Sequence, residues 1–234
     1  MNLLIEGIKQ ICNADKTAAS LIENRFDDIV ESLTGYMHEI ERFNAAYGLV
    51  KIKTREELIV KHVLDSLTPL GHLCRLLKFT EKKGLSGKAA DIGSGGGFPG
   101  LPLAVCLPEL HFTLIERMGK RTGFLRNVIA VLGLSSRIMV QEIELENALP
   151  SQFDLVVLRA VSPLTPQFVK LLSRLLKSPD GRAVPGGVIT AYKGREETTQ
   201  AELDNLQGYT ARLIPLTVPF LDEQRCLAVI TPWQ

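Results

Sequence analysis

Between residues 91 and 100 the chain reads Asp91-Ile92-Gly93-Ser94-Gly95-Gly96-Gly97-Phe98-Pro99-Gly100, and no other stretch restricts the fold so tightly. The segment follows the β-rich run Ala89-Ala90-Asp91-Ile92 and precedes the apolar run Leu101-Pro102-Leu103-Ala104-Val105. Strand, glycine turn, helix is the order in which a parallel α/β sheet brings its backbone against a ligand. Residues without a Cβ allow both the sharp turn and the close approach. The dinucleotide fingerprint Gly-x-Gly-x-x-Gly fails here, because its last glycine falls on Phe98. The pattern Asp-x-Gly-x-Gly-x-Gly fits completely, with Asp91, Gly93, Gly95 and Gly97. That form suits a ligand with an amino-acid tail, since Asp91 can orient a water or an ammonium group.

The flanking sequence agrees with such a sheet. Up to about Leu70 the apolar residues recur at helical spacing: Leu21, Phe26, Ile29, Val30 and Leu33, then Met37, Ile40 and Phe43. Thr54 followed by Glu57 is a capping-box pattern that starts a further helix, and it puts His62, Asp65 and Ser66 on one polar face. From about Lys88 short β-rich runs alternate with helical stretches: AADIG, HFTLIE, SRIMV, FDLVVLRA and GGVITAYKG. Two last strands, RLIPLTV and RCLAVIT, close the chain after an acidic, solvated helix. The expected fold class is α/β: a mostly parallel seven-stranded sheet with helices on both faces. A small N-terminal helical extension covers residues 1–70 and the sheet domain 71–234. The stretch from Ser178 to Gly187 reads as a surface loop.

Composition narrows the class. The 234 residues carry a formal net charge of only +1, so any polyanionic partner must meet a local basic patch. Cys12, Cys74, Cys106 and Cys226 lie far apart without a Cys-x-x-Cys pair, which argues against a zinc site and a disulfide framework. The opening residues lack the pattern of a signal peptide, and no apolar run approaches the roughly 18 residues of a membrane span. The expectation is a reduced, cytoplasmic protein, monomeric, with no metal and no membrane attachment.

Ligand-facing residues should sit at the carboxyl ends of the strands. Glu116 closes the second strand, where an acid can accept hydrogen bonds from both hydroxyls of a ribose. After the third strand Glu142 and Glu144 are equally placed to take an adenine amino group. Arg117, Lys120, Arg121 and Arg126 form a basic cluster, and Lys193 and Arg195 follow strand five. Such cations can hold phosphates or reach guanine O6. After strand four the chain reads Leu158-Arg159-Ala160-Val161-Ser162-Pro163, not the Asn/Asp-Pro-Pro-Tyr that activates an amine. No cysteine is placed as a covalent nucleophile. The site suits an acceptor that is already nucleophilic, such as guanine N7.

Several segments together resemble a known family. They are Lys61-His62-Val63-Leu64-Asp65-Ser66-Leu67, the glycine segment, Lys120-Arg121-Thr122-Gly123-Phe124-Leu125, Arg159-Ala160 and Lys193-Gly194. In this order they resemble the glucose-inhibited division protein B family, bacterial 16S ribosomal RNA guanine-N7 methyltransferases. The resemblance implies a Rossmann-like class I methyltransferase that uses S-adenosylmethionine on 16S ribosomal RNA or the small ribosomal subunit. It implies cofactor contacts from Gly93, Phe98, Ile143, Glu144 and Arg159, beside Gly95 and Glu116 from the pattern above. It implies that Lys120, Arg121 and Lys193 meet RNA, with Lys193, His62 and Asp65 as candidates for positioning. Glu142 stands where that family usually has Arg, and Gly48-Leu49-Val50 replaces its Asn-Leu-Thr. The rival expectations are a same-fold methyltransferase acting on a small molecule or a protein, and a non-catalytic RNA-binding assembly factor.

Overall fold

The computed structural model describes residues 2–77, 87–177 and 187–232. The chain opens with α1 (Asn2–Ala14), α2 (Lys16–Ile22) and α3 (Phe26–Tyr47). Asp15 starts α2 by accepting the Thr17 and Ala18 N–H groups, and α3 stops at Gly48 in the left-handed conformation. The Thr54 cap forms as expected. Its hydroxyl accepts the Glu57 N–H at 3.2 Å, and the Glu57 carboxylate reaches back to the Lys53 N–H at 2.7 Å, one residue before the cap.

That cap begins α4 (Arg55–Leu58), which passes into a π-helical turn, Ile59–Leu64, and then α5 (Asp65–Leu67) and α6 (Leu70–Leu76). The π turn shifts the Asp65 N–H to the Val60 carbonyl, five residues back, and away from the Lys61 carbonyl. Asp65 and Ser66 lie on a polar face, but this face is buried rather than solvated.

The sheet is built from β1 (Gly87–Ile92), β2 (Leu110–Glu116), β3 (Ile138–Glu142), β4 (Leu155–Arg159), β5 (Val188–Lys193), β6 (Tyr209–Leu216) and β7 (Arg225–Pro232). Between them run α7 (Gly100–Cys106), α8 (Gly119–Val131), α9 (Pro166–Ser173) and α10 (Glu196–Asp204). The seven strands are ordered β3-β2-β1-β4-β5-β7-β6, with β7 antiparallel to both neighbours and the rest parallel. The chain leaves β1 outward through β2 to β3 and returns at β4. The strand order therefore reverses between β1 and β4, where open α/β sheets bind ligands. The loop expected over Ser178 to Gly187 falls almost wholly on residues 178–186, outside the described residues.

Alternate residues of the central strands feed two cores. Ala89, Phe112, Leu155, Val157 and Leu227 share one cluster with α1 to α8. Ala90, Ile92, Val156, Leu158 and Ile189 share another with α9 and α10. Near-continuous apolar strands such as Leu155-Val156-Val157-Leu158 follow from burial on both faces. Two long-range hydrogen bonds tie the N-terminal helices to the ligand edge. The Tyr36 hydroxyl donates to the Gly96 carbonyl at 2.6 Å, and the Tyr192 hydroxyl donates to the Ser66 carbonyl at 2.8 Å.

Candidate active site

Two clefts open at the reversal point. The larger, about 600 Å³, lies between the glycine loop, the π turn and the ends of β4, β5 and β7. The smaller, about 370 Å³, lies over the ends of β1, β2 and β3. Gly93, Arg121 and Ala160 line both, so one elongated ligand can span them.

The glycine loop forms the shared wall. Gly95 has a φ of +57°, and a Cβ built there meets only the Gly93 carbonyl oxygen, at 3.8 Å, so it would project into free space. The Gly95 N–H donates to Glu116 Oε2 at 3.0 Å, and the Met118 N–H donates to Glu116 Oε1 at 2.9 Å. Glu116 is thus nearly buried and held by two backbone donors, while each oxygen keeps a second lone pair for a ligand. Asp91 lies elsewhere. Its carboxyl is fully buried, accepts the Gly100 N–H at 3.0 Å and lines neither cleft. Burial pushes it up to about 7. It supports the loop from beneath, through the first residue of α7.

Ile143 and Glu144 line the smaller cleft, where Glu144 is half exposed and 3.4 Å from Arg117. Glu142 points away. Its carboxylate accepts from the Thr122 hydroxyl at 2.7 Å and from Arg126 at 3.2 Å, which also removes Arg126 from the clefts.

Arg159, at the end of β4, is the most constrained side chain in the larger cleft. Its Nη1 donates to Asp65 Oδ2 at 2.9 Å and to the Lys61 carbonyl at 3.2 Å, and Nη2 lies 2.9 Å from His62 Nδ1. The carbonyl that the π turn releases from the Asp65 N–H is the one Arg159 uses. Because guanidinium only donates, His62 Nδ1 must accept, which makes the ring neutral with its proton on Nε2. Burial and the Arg159 charge push this imidazole down to about 3. The guanidinium stacks 5.1 Å from the Phe98 ring, and His62 packs on the same ring at 5.1 Å. His62 and Asp65, paired by helical spacing, do not bond each other. Both serve Arg159.

Of the expected RNA contacts, Lys193 lines the larger cleft and Arg121 sits at the junction, 3.7 Å from Glu116. Lys120 is exposed outside both clefts and makes no ion pair among the described residues, and Arg195 is exposed at the start of α10. Sequence reasoning missed Lys51 and Arg225, which join Lys61, Arg121, Arg159 and Lys193 around the larger cleft. Asp65 is the carboxylate in its lining. From outside it, Glu223 pairs with Lys61 and Arg225, Glu116 with Arg121, and Glu202 with Lys193. Lys51 directly follows the Gly48-Leu49-Val50 segment, a signal that was available. Arg225 opens the last strand and carries no local signal. No cysteine lines either cleft.

The fold is that of Rossmann-like methyltransferases. The solved METTL16 methyltransferase domain superposes with a TM-score of 0.57 at 14% identity, covering 86% of this chain and 97% of that one. A human methyltransferase 10 domain containing protein gives 0.54 at 14%, covering 87% and 98%. Residues 29–228 match the family described as GidB, rRNA small subunit methyltransferase G. The ribosomal RNA small subunit methyltransferase G of Treponema pallidum is 36% identical over 232 residues, 97% of this chain and 92% of that one. Its counterpart in Bordetella avium is 32% identical over 197 residues, 84% and 82% of the two chains. The chain belongs to the GidB family.

Proposed function

We propose that this protein transfers a methyl group from S-adenosylmethionine to N7 of a guanine in 16S ribosomal RNA, free or within the small subunit. This is a cytoplasmic reaction carried out by a single chain. The observation that carries the reading is the pair of joined clefts, one edged by carboxylates and the other by six cations. Five of the six already pair with carboxylates, and it is their gathering at one rim, with Lys51 beside them, that favours a phosphodiester backbone over a small uncharged acceptor. The larger cleft is also within the range of pockets that enclose a nucleotide-sized ligand.

The residues present fit the cofactor, because a Cβ at Gly95 would take up the cleft space beside the loop. Glu116 would accept from its ribose hydroxyls, Glu144 and Ile143 would face its adenine, and Gly93, Gly95 and Phe98 would wall its chain beside Arg159. When bound, S-adenosylmethionine supplies an electrophilic methyl on a sulfonium. Everything else is positioning by the protein. Guanine N7 attacks with a lone pair that carries no proton, so no base is needed. The cleft agrees with this. His62 is neutral with its accepting nitrogen already used, and Asp65 is occupied by Arg159. His62 Nε2–H and the cations remain as donors for O6 or phosphate.

The expected single-turnover rate, with RNA and S-adenosylmethionine saturating, is flat within about twofold from about pH 6.5 to 8.5. Asp91, which burial pushes up to about 7, lines neither cleft and so takes no proton in the methyl-transfer step. A rate rising tenfold per pH unit anywhere in the window would mean an enzyme base takes part, and would overturn the N7 mechanism.

A further inference from the structure

The acidic helix after strand five reads as a solvated surface, and three of its features agree: Glu197, Gln200 and Asp204 are exposed. Glu202 is different. It is about one-fifth exposed, and its Oε2 lies 2.5 Å from Lys193 Nζ, itself only 17% exposed. The same oxygen accepts the Leu164 N–H at 3.0 Å. Glu202 lines neither cleft, yet it touches two elements that do. One is the end of β5, which carries Lys193. The other is the segment after β4, where Ala160 lines both clefts with a φ of +53° and Val161 lines the smaller.

We infer that Glu202 is a positioning residue. It fixes the ammonium of Lys193 at the cleft wall, so that methyl transfer depends on Glu202 through Lys193. A lysine carries four rotatable bonds, and an unrestrained one spreads its charge over a wide arc. A single carboxylate oxygen, anchored by a backbone N–H, removes that freedom before RNA arrives. Placement by about 1 Å can change a rate by roughly a hundredfold, so the tether is worth more than its modest contribution to stability. The inference rests on reading Lys193 as a contact for the RNA acceptor.

Both contacts end on the same oxygen, so Glu202→Gln keeps an acceptor for the Leu164 N–H and a neutral one for Lys193, but removes the charge that pins the ammonium. The expected result is a turnover number lowered by roughly tenfold or more, with melting temperature and S-adenosylmethionine affinity close to wild type. Glu197→Gln makes the same charge change on the same helix and should leave turnover unchanged. In a Lys193→Ala background, adding Glu202→Gln should cost nothing further, because the two residues act as one unit. If Glu202 merely anchors Leu164, Glu202→Gln behaves as wild type while Glu202→Leu loses stability. That pattern, or additive losses in the double variant, overturns the inference while Lys193→Ala remains defective. A Lys193→Ala protein with full activity would instead remove the reading of Lys193, and the inference with it.

Discussion

Replacing Arg159 by Met is expected to abolish methyl transfer and to lower the melting temperature by roughly 10 °C. The side chain neutralises Asp65, which is 3% exposed, and the only other cation at that carboxylate among the described residues, Arg225, stands off at 3.5 Å. Burial raises the Asp65 carboxyl, and Arg159 is the chief influence opposing that. Removing one partner of such a pair strands the other, at a cost of about 3–5 kcal/mol. A second change, Asp65→Leu, should recover most of the lost stability by removing the stranded charge, yet restore no activity. Thermal unfolding followed by circular dichroism, beside a methyl-transfer assay, separates the two effects. An Arg159→Met protein as stable as wild type would mean that Asp65 finds compensation elsewhere.

The second large effect is local to the glycine loop. Gly95→Val should lower S-adenosylmethionine affinity by roughly a hundredfold or more, equivalent to about 2.8 kcal/mol. The fold should survive. The new side chain enters open cleft space, and the left-handed backbone adds a strain of about 1–2 kcal/mol. Gly100→Val should behave in the opposite way. A Cβ at Gly100 lies 2.6 Å from Asp91 Oδ2 and 2.8 Å from Leu114 Cδ2, in the packed interior, so folding itself fails. Calorimetric titration with S-adenosylmethionine tests the first variant and soluble yield tests the second. Unchanged affinity in a folded Gly95→Val protein would place the cofactor away from this loop.

These contrasts show which parts of the molecule were legible in the sequence. The sheet was, because the inner parallel strands, buried on both faces, must be short apolar runs between helices, and such runs stand out at β1, β2, β4 and β5. The glycine loop was legible because left-handed and ligand-facing backbone tolerates few residue types. The Thr54 cap was legible for the same local reason. The Arg159 knot was not. Its partners lie 94 to 98 positions earlier in the chain, and the π turn that releases the Lys61 carbonyl leaves no mark on helical periodicity. Spacing alone paired His62 with Asp65, whereas tertiary structure gives each of them to a third residue. Glu202 and Arg225 illustrate the same limit. Glu202 reads as a solvated charge and Arg225 carries no local signal, and only the topology, which packs α10 on β6 and β7 and sets β7 beside β5, brings Glu202 to Lys193 and Arg225 to the cleft.

The most direct test of methyl transfer to guanine N7 is the identity of the methylated atom. Wild-type protein is incubated with S-adenosylmethionine labelled in its methyl group, and with either naked 16S ribosomal RNA or small subunits. The RNA is then digested to nucleosides for mass spectrometry, and in parallel treated with borohydride and aniline, which cut the strand at N7-methylguanosine. Label is expected in N7-methylguanosine alone, with one protein-dependent cut. Label on a ribose, an exocyclic amine or a pyrimidine carbon, or transfer to protein with none to RNA, would contradict transfer to guanine N7.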